Sequence, residues 1–137
     1  MIDVSDYIGI PFVDNGRTKA GCDCWRLVGM VYRDHLNIEL PEFPDVYIDR
    51  SSNTALLKSL QRVADRMNEY KQRWKSVDKP QPYDVIILHT GELLYHCGLV
   101  VDRRNMLHTM ENIDSAIEDF TGLMWKNKIE GFYRYAG

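Results

Sequence analysis

The sequence has no excess of positive charge: 17 lysines and arginines against 20 aspartates and glutamates leave a net charge of −3. That excludes a surface-wide pull toward nucleic acid or an anionic membrane, and no nucleic-acid partner is expected. Long apolar runs are missing too. The longest, Val85-Ile86-Ile87-Leu88 and Leu99-Val100-Val101, have the length of strands, far short of the roughly 20 residues of a membrane span. The N-terminus "MIDVSDYIGIPF" has no basic segment leading into an apolar one, so no signal peptide is expected. Cysteine is scarce and odd in number, with three in 137 residues. That argues against a disulfide framework and for synthesis in a reducing compartment. No repeat, low-complexity tract or linker divides the chain, whose length suits one domain over residues 1–137.

What is present reads as helices followed by strands. Residues 3–9 suit a short helical turn, and "GIPFVDNGRTKAG" suits a loop. From Cys24 to about His35 the apolar residues Leu27, Val28, Met30, Val31 and Leu36 recur at helical spacing, with Asp23 in the capping position. The proline-containing "NIELPEFPDVYIDRSSN" is a connection. A second helix starts after Ser52 or Asn53, with one apolar stripe of Leu56, Leu60, Val63, Met67, Tyr70 and Trp74. A stripe this short predicts a surface helix packed on the core rather than a coiled-coil seam. After "DKPQP", residues 85–88, 96–101, 106–110 and 131–135 read as short strands, and 115–120 fits either strand or helix. Helices first and antiparallel strands after predict an α+β fold.

The candidate chemistry begins with "GCDCW". A thiol in the first turn of a helix sits at the positive end of the helix dipole, which favours the thiolate, so Cys24 is a candidate nucleophile. The bland alternative is a small buried residue. Such a thiolate needs a histidine. His35, at a helix end, suits a capping role, and His89 ends a strand beside "TGE", where a loop role suits it. His96 and His108 fall on adjacent predicted strands and suit a base and the group that orients it. Strand alternation makes this conditional. A four-residue loop at 102–105 puts the two rings on opposite faces. A three-residue loop at 102–104, or a bulge, puts them on one face as diagonal neighbours. Zinc is the competing use of Cys22, Cys24, His96 and Cys97. One residue between the first two is too few for a structural site, and the last two point to opposite faces.

"GCDCWRLVGMVY", "QPYDVIILH", "HCGLVV" and "MLHTM" follow one another in the order and spacing of the NlpC superfamily of papain-like cell-wall cysteine peptidases, which the chain resembles from about Gly9 to Tyr135. More narrowly it resembles phage tail-associated members, which carry "DCW", a "P-(D/E)-F" loop, a helical stretch, "QPGD" and an "IEGFYRY"-like end. The resemblance implies Cys24 as nucleophile, His96 as base and His108 as the orienting residue. It implies the backbone N–H of Cys24 as an oxyanion donor and no cofactor. It also implies peptidoglycan stem peptides as substrate, often cut between D-glutamate and diaminopimelate, and other tail-tip proteins as partners. A virion component made in the cytoplasm and delivered to the host wall would need no signal peptide.

Asp23 caps the helix, and in similar proteins the matching aspartate also meets a substrate amine. Trp25 belongs to the same motif. Four positions depart from the family pattern: Phe12 where tyrosine is common, Cys22 where an aromatic or other residue is usual, Arg26 in place of glycine, and Tyr83 in place of the glycine of "QPGD". Phe12 removes a hydrogen-bond donor from the substrate or oxyanion site. Arg26 either crowds the cleft or offers a ligand to a substrate carboxylate. Cys22 reads as a packing residue near the cleft mouth. Other functions stay open beside the hydrolase: a structural tail-tip module with weakened catalysis, a cellular cysteine amidase or peptidase, or a zinc module.

Overall fold

Asp23 starts the first α-helix, α1 (Cys24–Val31), by accepting the Arg26 N–H on its side chain at 2.9 Å. The computed structural model describes residues 1–42, 47–90 and 93–137, with backbone alone for 93–95. Residues 43–46 of the connection, and Gly91 and Glu92 of "TGE", lie outside the described residues. Leu27, Val28 and Val31 are fully buried on α1, and each such side chain contributes about 1.5–3 kcal/mol. The helix continues through a wider π-helical turn (Tyr32–Leu36) and stops at Asn37, whose φ of 56° is left-handed. Asparagine tolerates that conformation better than most residues.

The second helix, α2 (Asn53–Lys71), is capped by Ser52, which accepts the Ala55 N–H at 3.0 Å. Trp74 lies beyond its end, in a turn closed by its N–H to the Lys71 carbonyl. The stripe therefore stops at Tyr70. Trp74 is a separate buried anchor, set against Tyr32, Tyr70 and Tyr135. Among the described residues no helix is long and apolar enough to cross a membrane.

One two-residue pair, β1 (Arg17–Thr18) with β2 (Gly21–Cys22), precedes α1 within the segment expected to be a loop. The main sheet uses β3 (Lys75–Val77), β4 (Val85–Thr90), β5 (Leu93–Val100), β6 (Asn105–Met110), β7 (Ile113–Asp119) and β8 (Ile129–Arg134). Its order is β3-β8-β4-β5-β6-β7, and every pairing is antiparallel. The fold is α+β, as expected. Central β4 is buried on both faces, which explains why Val85–Leu88 does not alternate. Val85, Ile87, Cys97, Leu99 and Leu107 form one core with α1. Ile86, Leu88, Val100 and Met106 form a second with Phe120 and Trp125.

The "QPYD" turn is strained at one residue. Tyr83 has φ 74°, where glycine is favoured. Its carbonyl accepts the Tyr32 hydroxyl, and its own hydroxyl meets His35 Nδ1 at 2.9 Å. Asp84, 2% exposed, holds Arg134 through two 2.9 Å contacts and so ties the turn to β8. Tyr83→Gly should be more stable than Tyr83→Ala by about 1 kcal/mol, because both lose the side-chain tether and only alanine keeps the left-handed penalty. Urea midpoints would check this, and equal midpoints would refute it.

Candidate active site

Cys24 occupies the first position of α1, where backbone N–H groups and the helix dipole favour negative charge. Its sulfur is hydrogen-bonded to the Cys97 thiol, to the Cys97 backbone and to the His96 ring. The Cys97 thiol is the largest influence holding the Cys24 pKa well below the usual cysteine value. Burial opposes it, and the hydrogen bond and charge of His96 add to it. Cys97 is pushed the other way: its proton is committed to Cys24, and it sits in the core at 1% exposure.

The histidines meet as the odd loop requires. Leu99 pairs with Leu107 and Val100 with Met106, and the Val101 N–H reaches the Asn105 carbonyl at 2.9 Å. This leaves a three-residue loop, residues 102–104, with the side chain of Asp102 accepting the N–H groups of Arg104 and Asn105. The register extended by one position sets Gly98 opposite His108, so His96 and His108 are diagonal neighbours on one face. His96 Nε2 lies 3.0 Å from His108 Nδ1. Both rings are buried, His108 completely.

Behind His108 stands a carboxylate. His108 Nε2 contacts Glu118 Oε2 at 2.5 Å, and Trp125 Nε1 donates to the same oxygen at 2.9 Å. The Trp125 ring stacks on His96 at 5.6 Å and meets His108 edge-on at 5.1 Å. Burial, and then the charge of His96, lowers the His108 pKa against the opposing pull of Glu118. His108 is therefore neutral at neutral pH.

An open cleft of about 370 Å³ reaches Cys24 and His96, with Phe12, Trp25 and Arg26 in its wall. Leu56, Leu60, Val63 and Met67 of α2 line the opposite side. The stripe is half-buried: Met67 and Tyr70 pack against the core as expected of a surface helix, and the same face also walls the cleft. Trp25 donates its indole N–H to the Pro41 carbonyl at 2.7 Å. Arg26 is 9% exposed and committed: Nη1 meets Asp23 Oδ2 at 2.7 Å, and Nη2 the Glu42 carbonyl at 3.0 Å. It clamps Asp23 more than it fills the cleft. Burial raises the Asp23 pKa to about 6, the Cys24 charge adds to this, and Arg26 opposes.

The fold that carries these three residues has counterparts. The model of the NlpC/P60 family matches residues 9–134. The chain belongs to the NlpC/P60 family. This is a family of cysteine peptidases and peptidoglycan hydrolases. Solved structures share the NlpC/P60 fold at low identity. A Bacillus cereus NlpC/P60 family protein superposes with a TM-score of 0.69 at 17% identity, over 97% of this chain and 38% of that one. A Staphylococcus aureus protein similar to lipoprotein, of the NLP/P60 family, gives 0.65 at 21% identity, over 96% and 38%. The NlpC/p60 domain of the peptidoglycan hydrolase SagA gives 0.60 at 14% identity, over 96% and 92%. The chain thus spans well under half the length of the first two. No curated protein sequence matches it.

Sequence reasoning for this NlpC/P60 chain missed three site residues. Cys97 was weighed only as a metal ligand, because alternation sends it away from His96. The start of α1 approaches β5 so closely that Cys24 bonds both neighbours. Glu118 and Trp125 gave no signal, since 115–120 had no clear period. His35 does not cap carbonyls: its ring meets the Tyr83 hydroxyl and the edge of Tyr7. His89 lies at the end of β4, as expected of a strand end, with its N–H held by the Lys128 carbonyl rather than left in a loop. Cys22 is fully buried in the core, not at a cleft mouth, and burial pushes its thiol up to about 12. Among the described residues no three His, Cys, Asp or Glu side chains are grouped to hold a metal ion.

Proposed function

We propose that the protein is a cysteine hydrolase of amide bonds in peptidoglycan stem peptides, of the D-glutamyl–diaminopimelate type. The observation that carries the reading is the contact of Cys24 with His96, itself held by His108, at the floor of an open cleft. The Cys24 thiolate attacks the scissile carbonyl, and the Cys24 backbone N–H at the helix start receives the oxyanion. The His96 imidazolium gives its proton to the departing amine and leaves a thioester. His96 then takes a proton from water, whose oxygen adds to the thioester carbonyl, and the acid product and thiol separate. No step requires a cofactor.

The "DCW" motif and the "IEGFYRY"-like end support a setting in a phage tail tip, with other tail proteins as partners and the host wall as the place of action. A second reading, a tail module with weakened catalysis, is favoured by the Arg26–Asp23 clamp and by Phe12. The clamp occupies the carboxylate that would meet a substrate amine, and Phe12 offers no donor.

The test is release of new amines and muropeptides from purified diaminopimelate-type sacculi, with protein alkylated at Cys24 as the blank. Fragments carrying a free diaminopimelate amine are expected from the untreated protein alone. Rapid alkylation of Cys24 without any release would leave a competent thiol and remove the peptidoglycan reading. Slow alkylation without release would favour the structural module. Mass spectrometry of purified virions would test the tail setting, and absence of the chain there would end it.

A further inference from the structure

We infer that Glu118 is a positioning residue that fixes the tautomers of both histidines and so selects the ring nitrogen of His96 that takes the Cys24 proton. The inference rests on the Cys24–His96 reading above but not on the substrate.

An ionised carboxylate only accepts. Glu118 Oε2 receives the Trp125 indole N–H at 2.9 Å, and His108 Nε2 lies 2.5 Å from the same oxygen, so His108 must carry its proton on Nε2. His108 is neutral, so its Nδ1 is a lone pair. The group 3.0 Å away, His96 Nε2, must then be the donor. Because Nε2 faces His108, His96 Nδ1 is left as the basic nitrogen and as the ring atom available to the Cys24 sulfur. On forming the ion pair, one proton moves from Cys24 Sγ to His96 Nδ1. The protons on His96 Nε2 and His108 Nε2 stay in place, and Glu118 never becomes protonated. Without Glu118, His108 can carry its proton on Nδ1 and face His96 Nε2–H donor to donor. His96 would then turn or change tautomer, and Nδ1 would no longer be the free base.

Trp125 holds the device together. Its N–H locks the Glu118 oxygen, and its ring packs on both imidazoles. The charged or titratable groups around the histidines are Cys24 and Asp23 from the α1 start, Cys97 from β5 and Glu118 from β7, with Lys128 over the outer side of Trp125 at 5.2 Å. Glu118 is the carboxylate hydrogen-bonded to the pair. Its negative charge lies one ring beyond His96, across His108.

The experiment is the rate of Cys24 alkylation by iodoacetamide as a function of pH, for wild type, Glu118→Ala, Glu118→Gln and Trp125→Phe. Cys24→Ala serves as the blank, and thermal melts show that each variant is folded. Glu118→Ala should slow alkylation at neutral pH by roughly tenfold or more, as loss of an orienting carboxylate does in related catalytic arrangements. Glu118→Gln keeps an acceptor oxygen for both N–H groups, so it should stay within about threefold of wild type. Trp125→Phe should fall between the two. A folded Glu118→Ala with wild-type rate and pH dependence overturns the inference. If that variant does not fold, a folded Trp125→Phe with the wild-type rate and pH dependence overturns it. Alkylation needs no substrate, so slowed alkylation in these variants with no release from sacculi would sustain the inference while the peptidoglycan reading fell.

Discussion

Cys24→Ala should reduce amine release from sacculi to background, a fall of at least about 10⁴-fold, as loss of a covalent nucleophile does elsewhere. The size of the effect follows from the lack of a substitute. Cys97 is the nearest thiol, but it is buried and its pKa is raised. Cys22 is buried too, with its thiol pushed up to about 12. Neither can carry an acyl group at neutral pH. The substitution leaves the Asp23 cap and the buried face of α1 untouched, so the variant should fold, which circular dichroism would check. Persisting release by a folded Cys24→Ala would mean that another group carries the acyl transfer.

His96→Ala should cost about 10³-fold or more in kcat/KM, near 4 kcal/mol of barrier. Two losses combine. Cys24 loses the acceptor of its proton, and the leaving amine loses its acid. Thiol reactivity separates these from a general weakening: alkylation at neutral pH should slow sharply as well. Cys97 and the helix start still favour the thiolate, so the remaining reactivity measures their share. The buried His108 Nδ1 also loses its partner, which costs about 1–3 kcal/mol of stability. An alkylation profile identical to wild type would show that His96 does not set the state of the thiol.

The sequence showed the parts whose pattern is local. The α1 face, the Asp23 and Ser52 caps and the apolar run of β4 follow from spacing and capping chemistry. The histidine pair was legible as a condition, an odd loop, and the structure has that loop. What was not legible depends on distance between elements. The α2 stripe is a real stripe, but spacing says nothing of what it faces, and here it walls a cleft. Cys97 was hidden because alternation describes an isolated strand and not a helix end driven against it. Glu118 was hidden because β7 is half-exposed and mixes polar with apolar residues without a clean period. The two-residue strands β1 and β2 are too short to carry any period.

The site draws on two very different lengths of chain. His96 and His108 are 12 residues apart and His108 and Glu118 are 10, so three consecutive strands bring them together through hairpin contacts. Cys24 comes from more than 70 residues upstream. Loop closure is less costly for the hairpins than for that long return. The imidazole–carboxylate module is therefore built from local chain, while the thiol becomes reactive only when α1 docks. The nucleophile is switched on by completion of the fold, and an unfinished chain carries an ordinary cysteine at that position.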